Sequence, residues 1–373
     1  MAQSEMRTNS SWGLGRFHMT VIRTEYNPGI MKTRRLCVSL LFFGAVVAAL
    51  AIAHSSPASA PVHERTFDIT YTAEVHDIPA GTKDVQIWLP YPQSDEYQKI
   101  LKANVTTPYP TKIIKGAEYG NQIVHIEVKD PKATSIPVTM TFTARRSEHL
   151  HNDFTQVSAT KSAPTADMKR WLEPDKLVPL DQRIRELSAE VTQGKTTDLE
   201  KARAIYDYVL ANMKYDKSGT GWGNGDIYWA CDAKRGNCTD FHALFIGLAR
   251  SAGIPAKFEI GLPVPADKSS GEIGGYHCWA EFYLSGYGWV PVDASEAWKD
   301  PAKREYFFGA HDANRVQFSV GRDITLTPAQ AGPALNYFIY PYVEVDGKPF
   351  TQVTKKFSFS DANPTQVAAS GMK

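Results

Sequence analysis

Three residues in the second half of the chain, Cys238, His277 and Asp293, have the types and settings that cysteine-based nucleophilic chemistry requires. Cys238 opens a segment in which Phe241, Leu244, Phe245, Leu248, Ala249 and Ala252 recur at helical spacing, so an apolar stripe is expected along one helix face. Asn237 suits the N-cap of that helix, Gly253 suits the left-handed position beyond its end, and Pro255 prevents its continuation. Cys238 then sits in the first turn, where free N–H groups and the positive end of the helix dipole favour a thiolate. The same N–H groups can bind an oxyanion. Taken alone, Cys238 reads equally well as a small buried apolar side chain.

The partners come downstream. Gly275 to Leu284 reads as a strand with Cys278, Ala280, Phe282 and Leu284 on its apolar face and His277 on the other. After Ser285-Gly286-Tyr287-Gly288, the segment Trp289-Val290-Pro291-Val292-Asp293 reads as the second strand of a hairpin. His277 is the candidate general base, and Asp293 the group that holds its ring in the useful tautomer. Register decides the matter. A pairing of Leu284 with Trp289 sets Asp293 opposite Ala280, on the wrong face, whereas a three-residue loop with a bulge at Gly286 and Gly288 sets it opposite Trp279 and diagonal to His277. The odd register with a bulge is expected.

The Gly-x-Cys helix, the Ala252-Gly253-Ile254-Pro255-Ala256 segment, the His277-x-Trp279 strand and the Gly288-Trp289-Val290-Pro291-Val292-Asp293 strand together resemble the transglutaminase-like superfamily, over roughly residues 200 to 300. Tyr306-Phe307-Phe308-Gly309 and Asp312-Ala313-Asn314-Arg315-Val316 are similar to its exported bacterial members. The resemblance implies a papain-like α+β fold in which Cys238 attacks an amide carbonyl, forms a thioester, and passes the acyl group to water or an amine. It favours a peptidase or amidase acting on peptides or proteins over a cross-linking transglutaminase. The competing reading is a catalytically inactive peptide- or protein-binding module on the same fold.

One oxyanion donor is expected from the Cys238 backbone. For the second, or for a substrate groove, Trp222, Tyr228 and Trp229 are the candidates, next to a Gly-rich loop from Gly219 to Asp226. That loop reads equally well as a surface loop with packed aromatics, and no Gly-Lys-Ser/Thr follows it to make a phosphate loop. Asp240 is expected to act on the helix dipole, and His242 to face solvent or a neighbouring loop. Cys231, Cys238, His242, His277 and Cys278 lack the closely spaced ligand pairs of structural zinc sites, and no Asp-rich calcium loop occurs. Neither metal nor other cofactor is expected.

The elements that must position these residues fall into two groups. From Thr66 to Phe142 the chain alternates, with Phe67, Ile69, Tyr71, Ala73 and Val75 on one parity, and segments around Ile87, Ile126 and Met140 repeat the pattern. This predicts an antiparallel β-sandwich preceding the papain-like, transglutaminase-like core, an α+β chain overall. Helical spacing then appears at Ile184, Leu187 and Val191 and from Ala202 to Met213, the second helix opened by a Thr197 to Glu200 capping box. Residues 61–150 therefore read as the sandwich domain, 165–358 as the cysteine domain with a C-terminal β extension, and 359–373 as a loose tail.

At the other end, Met31-Lys32-Thr33-Arg34-Arg35, the uncharged run from Leu36 to Ala53 and Ala58-Ser59-Ala60 read as a signal peptide over 31–60, behind an unstructured or non-native extension at 1–30. A periplasmic or secreted protein is expected, or an inner-membrane anchored one if the segment is retained, since about 18 apolar residues can span a bilayer. Cleavage removes Cys37 and leaves Cys231, Cys238 and Cys278, an odd set in an oxidising compartment, with a Cys231–Cys278 disulfide and free thiols both open. The 41 Lys and Arg against 40 Asp and Glu give no basic field for nucleic acid, so the expected partner is a peptide or protein substrate.

Overall fold

The computed structural model describes residues 63–157 and 165–362; the segment read as a signal peptide, with Cys37, lies outside them. The alternation of the first third is realised as β1 (Glu64–Val75), β2 (Asp84–Tyr91), β3 (Gln98–Thr106), β4 (Thr111–Lys115), β5 (Gln122–Lys129) and β6 (Ile136–Ser147). In β1 the odd positions from Phe67 to Val75 are buried while Asp68 and Glu74 face out, as period-2 patterning demands of a half-covered sheet. The helical spacings become α1 (Gln182–Val191) and α2 (Asp198–Asn212), and α2 starts on the expected capping box, Glu200 N–H donating to Thr197 Oγ1 at 3.2 Å. Then follow α3 (Ile227–Ala233), α4 (Cys238–Ser251), β7 (Ala256–Pro263), β8 (Ser270–Ile273), β9 (His277–Leu284), β10 (Gly288–Val292), α5 (Ala294–Lys299), β11 (Arg315–Val320), β12 (Tyr342–Val345) and β13 (Val353–Asp361).

An antiparallel sheet in the order β10-β9-β7-β11 forms the heart of the second part, with α4 packed against β7 and β9. Helix α4 is buried along nearly its whole length because its apolar stripe meets this sheet on one side and α1, α2, α3 and α5 on others. Gly247 lets the bundle close: a Cβ there would lie 2.2 Å from Ile227 Cδ1. The fold is α+β, as its patterning requires.

The sandwich differs from the sequence reading in where its strands come from. One sheet runs β8-β13-β1-β6-β3 and the other contains β12-β2-β5-β4, so both take strands from beyond residue 340. The segment read as an extension of the cysteine domain closes the sandwich instead, and β13 continues to Asp361, into the stretch read as tail. Short β-like segments carry no mark of which distant edge they will join, so sequence alone assigns them to their nearest neighbour. Because β13 also pairs with β8, it joins the sandwich to the loops of the second part. The described residues accordingly form one unit.

Side chains complete the join. β11 is an edge strand of the α4-packed sheet, and its free backbone groups meet two amides of the sandwich. Gln98 accepts from Gln317 N–H at 2.8 Å and donates to Gln317 C=O at 2.9 Å. Asn121 does the same for Val320, at 2.8 Å each way. Each amide imitates one rung of a further strand.

Phe357 of β13 is buried against Tyr71, ring centroids 4.4 Å apart. Phe357→Ala is expected to destabilise the protein by about 3–5 kcal/mol. Guanidinium unfolding followed by tryptophan fluorescence should show one cooperative transition shifted as a whole; two separated transitions would instead mean that the sandwich unfolds alone.

Candidate active site

The site starts at the N-terminus of α4. Asn237 Oδ1 accepts from Thr239 N–H at 2.9 Å, which leaves Cys238 as the first helical residue, 2% exposed. Asp240 is fully buried, and its role is larger than the dipole effect expected of it. Its carboxylate accepts from Asn237 N–H at 2.9 Å, Gly223 N–H at 2.7 Å and Gly225 N–H at 3.0 Å, tying the Gly-rich loop to the helix start. Gly236 makes room for it: at φ +153° a Cβ would stand 2.2 Å from Asp240 Oδ2. Burial raises the Asp240 pKa, while the three N–H donors oppose that shift.

The β9–β10 hairpin has the odd register that the triad needs. Leu284 pairs with Gly288, Tyr283 with Trp289 and Ala280 with Val292, so continuing the ladder sets Asp293 opposite Trp279. The expected bulge is not required, since the pairing runs without a shift and the three-residue loop Ser285–Tyr287 supplies the odd count by itself. His277 Nε2 meets Asp293 Oδ2 at 2.7 Å.

Asp293 is wholly buried and held from four directions. Oδ2 also accepts from Arg315 Nη1 at 3.0 Å, and Oδ1 accepts from Ser295 Oγ and from Glu296 N–H, each at 3.0 Å, the latter as N-cap of α5. Burial alone would raise its pKa; His277 and Arg315 outweigh burial and hold the carboxyl well below the usual carboxylate range. For His277, burial works against the charged ring, but Asp293 and the Cys238 thiol push its pKa up to about 10. For Cys238, burial again opposes ionisation, and hydrogen bonds from Cys278 and His277 together with the His277 charge hold the thiol well below its usual range. These shifts favour a thiolate–imidazolium pair braced by a carboxylate.

His242 departs from the sequence expectation that it would face solvent. It is fully buried one turn along α4, with Nδ1 at 2.8 Å from Cys238 C=O and Nε2 at 3.2 Å from Ala294 N–H. Those contacts fix a neutral ring with the proton on Nδ1, and burial lowers its pKa accordingly. Only the fold brings α5 over α4, so no sequence signal located this contact. Cys278 is also in the cluster, its Sγ 3.7 Å from Thr239 Oγ1, and Cys231, Cys238 and Cys278 are all free.

The three residues put forward for an oxyanion donor or groove have partners of their own. Tyr228 donates from its hydroxyl to Asp181 Oδ2 at 2.6 Å, Trp222 from its indole to Gly219 C=O at 3.1 Å, and Trp229 packs under Gly221. Tyr276 and Tyr337 also come to the site. The Tyr276 hydroxyl is 2.9 Å from both Asn237 Nδ2 and Thr239 Oγ1, and its ring lies 5.4 Å from that of Tyr337. Tyr276 precedes His277 directly and was within reach of sequence reasoning; Tyr337 was not, because a long irregular stretch separates it from the hairpin.

Arg315 was noted only as part of a resembling segment, yet it is 2% exposed and its guanidinium also lies 4.8 Å above the Trp279 ring. Removing one member of such a buried pair leaves an uncompensated charge. Arg315→Met is expected to cost about 3–5 kcal/mol in thermal or denaturant unfolding. With less positive charge beside it, Asp293 becomes easier to protonate, so the acid limb of Cys238 alkylation should move to higher pH.

Comparisons with known proteins bear on the fold of this region. Residues 185–294 match the profile of the transglutaminase-like superfamily. An uncharacterised protein of Haemophilus influenzae is 27% identical over 354 aligned residues, spanning 82% of this chain and 96% of its own. The uncharacterised protein YebA of Bacillus subtilis is 28% identical over 138 residues, 33% of this chain and 19% of that protein. In the crystal structure of a candidate cysteine protease from Cytophaga hutchinsonii the same fold recurs at 16% identity, TM-score 0.57, covering 82% of this chain and 93% of that one. The Cys238 helix, the His277 strand and Asp293 all lie inside the span that matches the transglutaminase-like superfamily.

Proposed function

We propose that this protein is an exported cysteine-dependent acyl transferase or hydrolase that cleaves amide bonds of peptides or proteins, with Cys238 as nucleophile, His277 as acid and base, and Asp293 as the group that orients His277. The observation that carries the reading is the position of His277, hydrogen-bonded to Asp293 through Nε2 at 2.7 Å and electrostatically coupled to the Cys238 thiol at a helix start. The Cys238 thiolate attacks the amide carbonyl carbon, and the developing oxyanion meets the Cys238 backbone N–H. His277 gives its proton to the leaving amine as the C–N bond breaks, leaving a thioester on Sγ. Water then adds with loss of a proton to His277, and breaking of the C–S bond releases the acid and restores the ion pair. An amine in place of water gives the cross-linking outcome, the second choice. Export to the periplasm or beyond rests on the signal-like segment at 31–60.

A second reading has its own observation. Cys238 is 2% exposed, beneath the Gly-rich loop and Tyr276, as suits a binding module that keeps the fold without the chemistry. Iodoacetamide labelling with peptide mapping separates the two. An ion pair predicts rapid Cys238 labelling at pH 6 with little pH dependence through neutrality, whereas in His277→Ala labelling should follow an ordinary thiol near pH 8.5. Amide turnover should fall as pH rises past about 10, where His277 loses the proton it must donate. A folded protein whose Cys238 resists labelling at every pH would favour the binding module.

A further inference from the structure

The face of β9 that carries His277 continues through Trp279 to Glu281, and around Glu281 the fold assembles groups that the acyl-transfer reading does not use. His149, two residues past the end of β6, and His311 stand directly opposite each other in a two-residue antiparallel ladder. His149, Glu281 and His311 are 3%, 6% and 0% exposed. One donor atom from each falls within 4.8 Å of the others. Among the described residues neither ring nitrogen of His311 has a hydrogen-bond partner, nor does His149 Nδ1. Buried imidazole nitrogens left so are costly and call for a partner.

We infer that His149, Glu281 and His311 form a zinc(II) site. The donor set is of the type zinc takes, two imidazoles and a carboxylate, with one position of a four-coordinate shell left for water or another ligand. His149 Nδ1 and Glu281 Oε1 are 3.3 Å apart, too poorly aligned for a hydrogen bond. That spacing matches the edge of a tetrahedron whose centre is about 2.0–2.1 Å from each donor. His311 offers the third donor, within 4.8 Å of the other two.

The surroundings hold these donors in ligating form. Burial first, and then Arg315, push His311 well below the usual imidazole range. Burial would raise Glu281, but Lys257 and the nearby histidines hold it ionised. Lys257 Nζ binds Glu281 Oε2 at 2.6 Å and leaves Oε1 toward His149, orienting the carboxylate as outer-sphere partners of metal ligands do. Tyr97 stacks on His149 with centroids 3.6 Å apart and fixes its plane. The cations facing the cluster, Lys257, Arg146 and Arg315, are countered by Glu259, Asp95, Asp312 and Asp293. His149 and Glu281 also line a cavity of about 600 Å³ that reaches Arg146 and Gln317, which gives the ion an entry path and its open position a place for a small ligand. Sequence gave no hint of the site because the ligands form no closely spaced pair.

The test uses the full chain, stripped with chelator and titrated with zinc(II) against a chromophoric competitor. One zinc per chain is expected for the wild type and equally for Cys238→Ala, with affinity at least about tenfold weaker in His311→Gln and Glu281→Gln. Binding that vanishes in Cys238→Ala, binding untouched by either ligand variant, or no binding at all overturns the site. If a ligand variant fails to fold, cobalt(II) on the wild type decides: ligand-field bands without thiolate charge transfer support the site, and a thiolate band or no spectrum overturns it.

Discussion

The buried Asp293 carboxylate is the contact on which the rest of the second part is organised. It accepts from His277, Arg315, Ser295 and the Glu296 N–H, drawing β9, β11 and α5 to the end of β10. A carboxylate without water is tolerated only when its lone pairs are filled and a cation balances it. Arg315 helps keep Asp293 ionised, and the ionised carboxylate in turn favours the charged form of His277 beside Cys238. The same hydrogen bonds that make the carboxylate tolerable therefore aim the imidazole.

β9 serves two purposes through its pleat. Cys278, Ala280, Phe282 and Leu284 face α4 and fix the height of the helix over the sheet, while His277, Trp279 and Glu281 face the other way into a polar layer. Trp279 links the parts of that layer, donating to Glu259 at 2.7 Å beneath the Arg315 guanidinium. His277 and Glu281 are thus held on the same face of one strand.

The sandwich is part of the same construction. β13 pairs with β1 on one side and with β8 on the other, Gln98 and Asn121 cap β11, and Arg65 of β1 reaches Pro265 C=O at 2.8 Å and Asn314 Oδ1 at 2.9 Å. Its position on the edge carrying Arg315 means that it supports the polar layer directly.

Periodicity and short-range chemistry were enough to place the helix that begins at Cys238, the Thr197 cap, the alternation of β1 and the parity of β9, because each depends on residues a few positions apart. The odd hairpin register was also legible, since the face rule leaves one parity for Asp293 if it is to meet His277. Contacts decided by distant segments were not: the burial of His242 under α5, Arg315 against Asp293, Tyr337 over Tyr276, the closing of the sandwich by β12 and β13, and the meeting of His149, Glu281 and His311. A local pattern records which face of an element is apolar. It does not record which of several apolar or polar faces elsewhere in the chain will cover it, and that choice is made only when all of them compete for the same core.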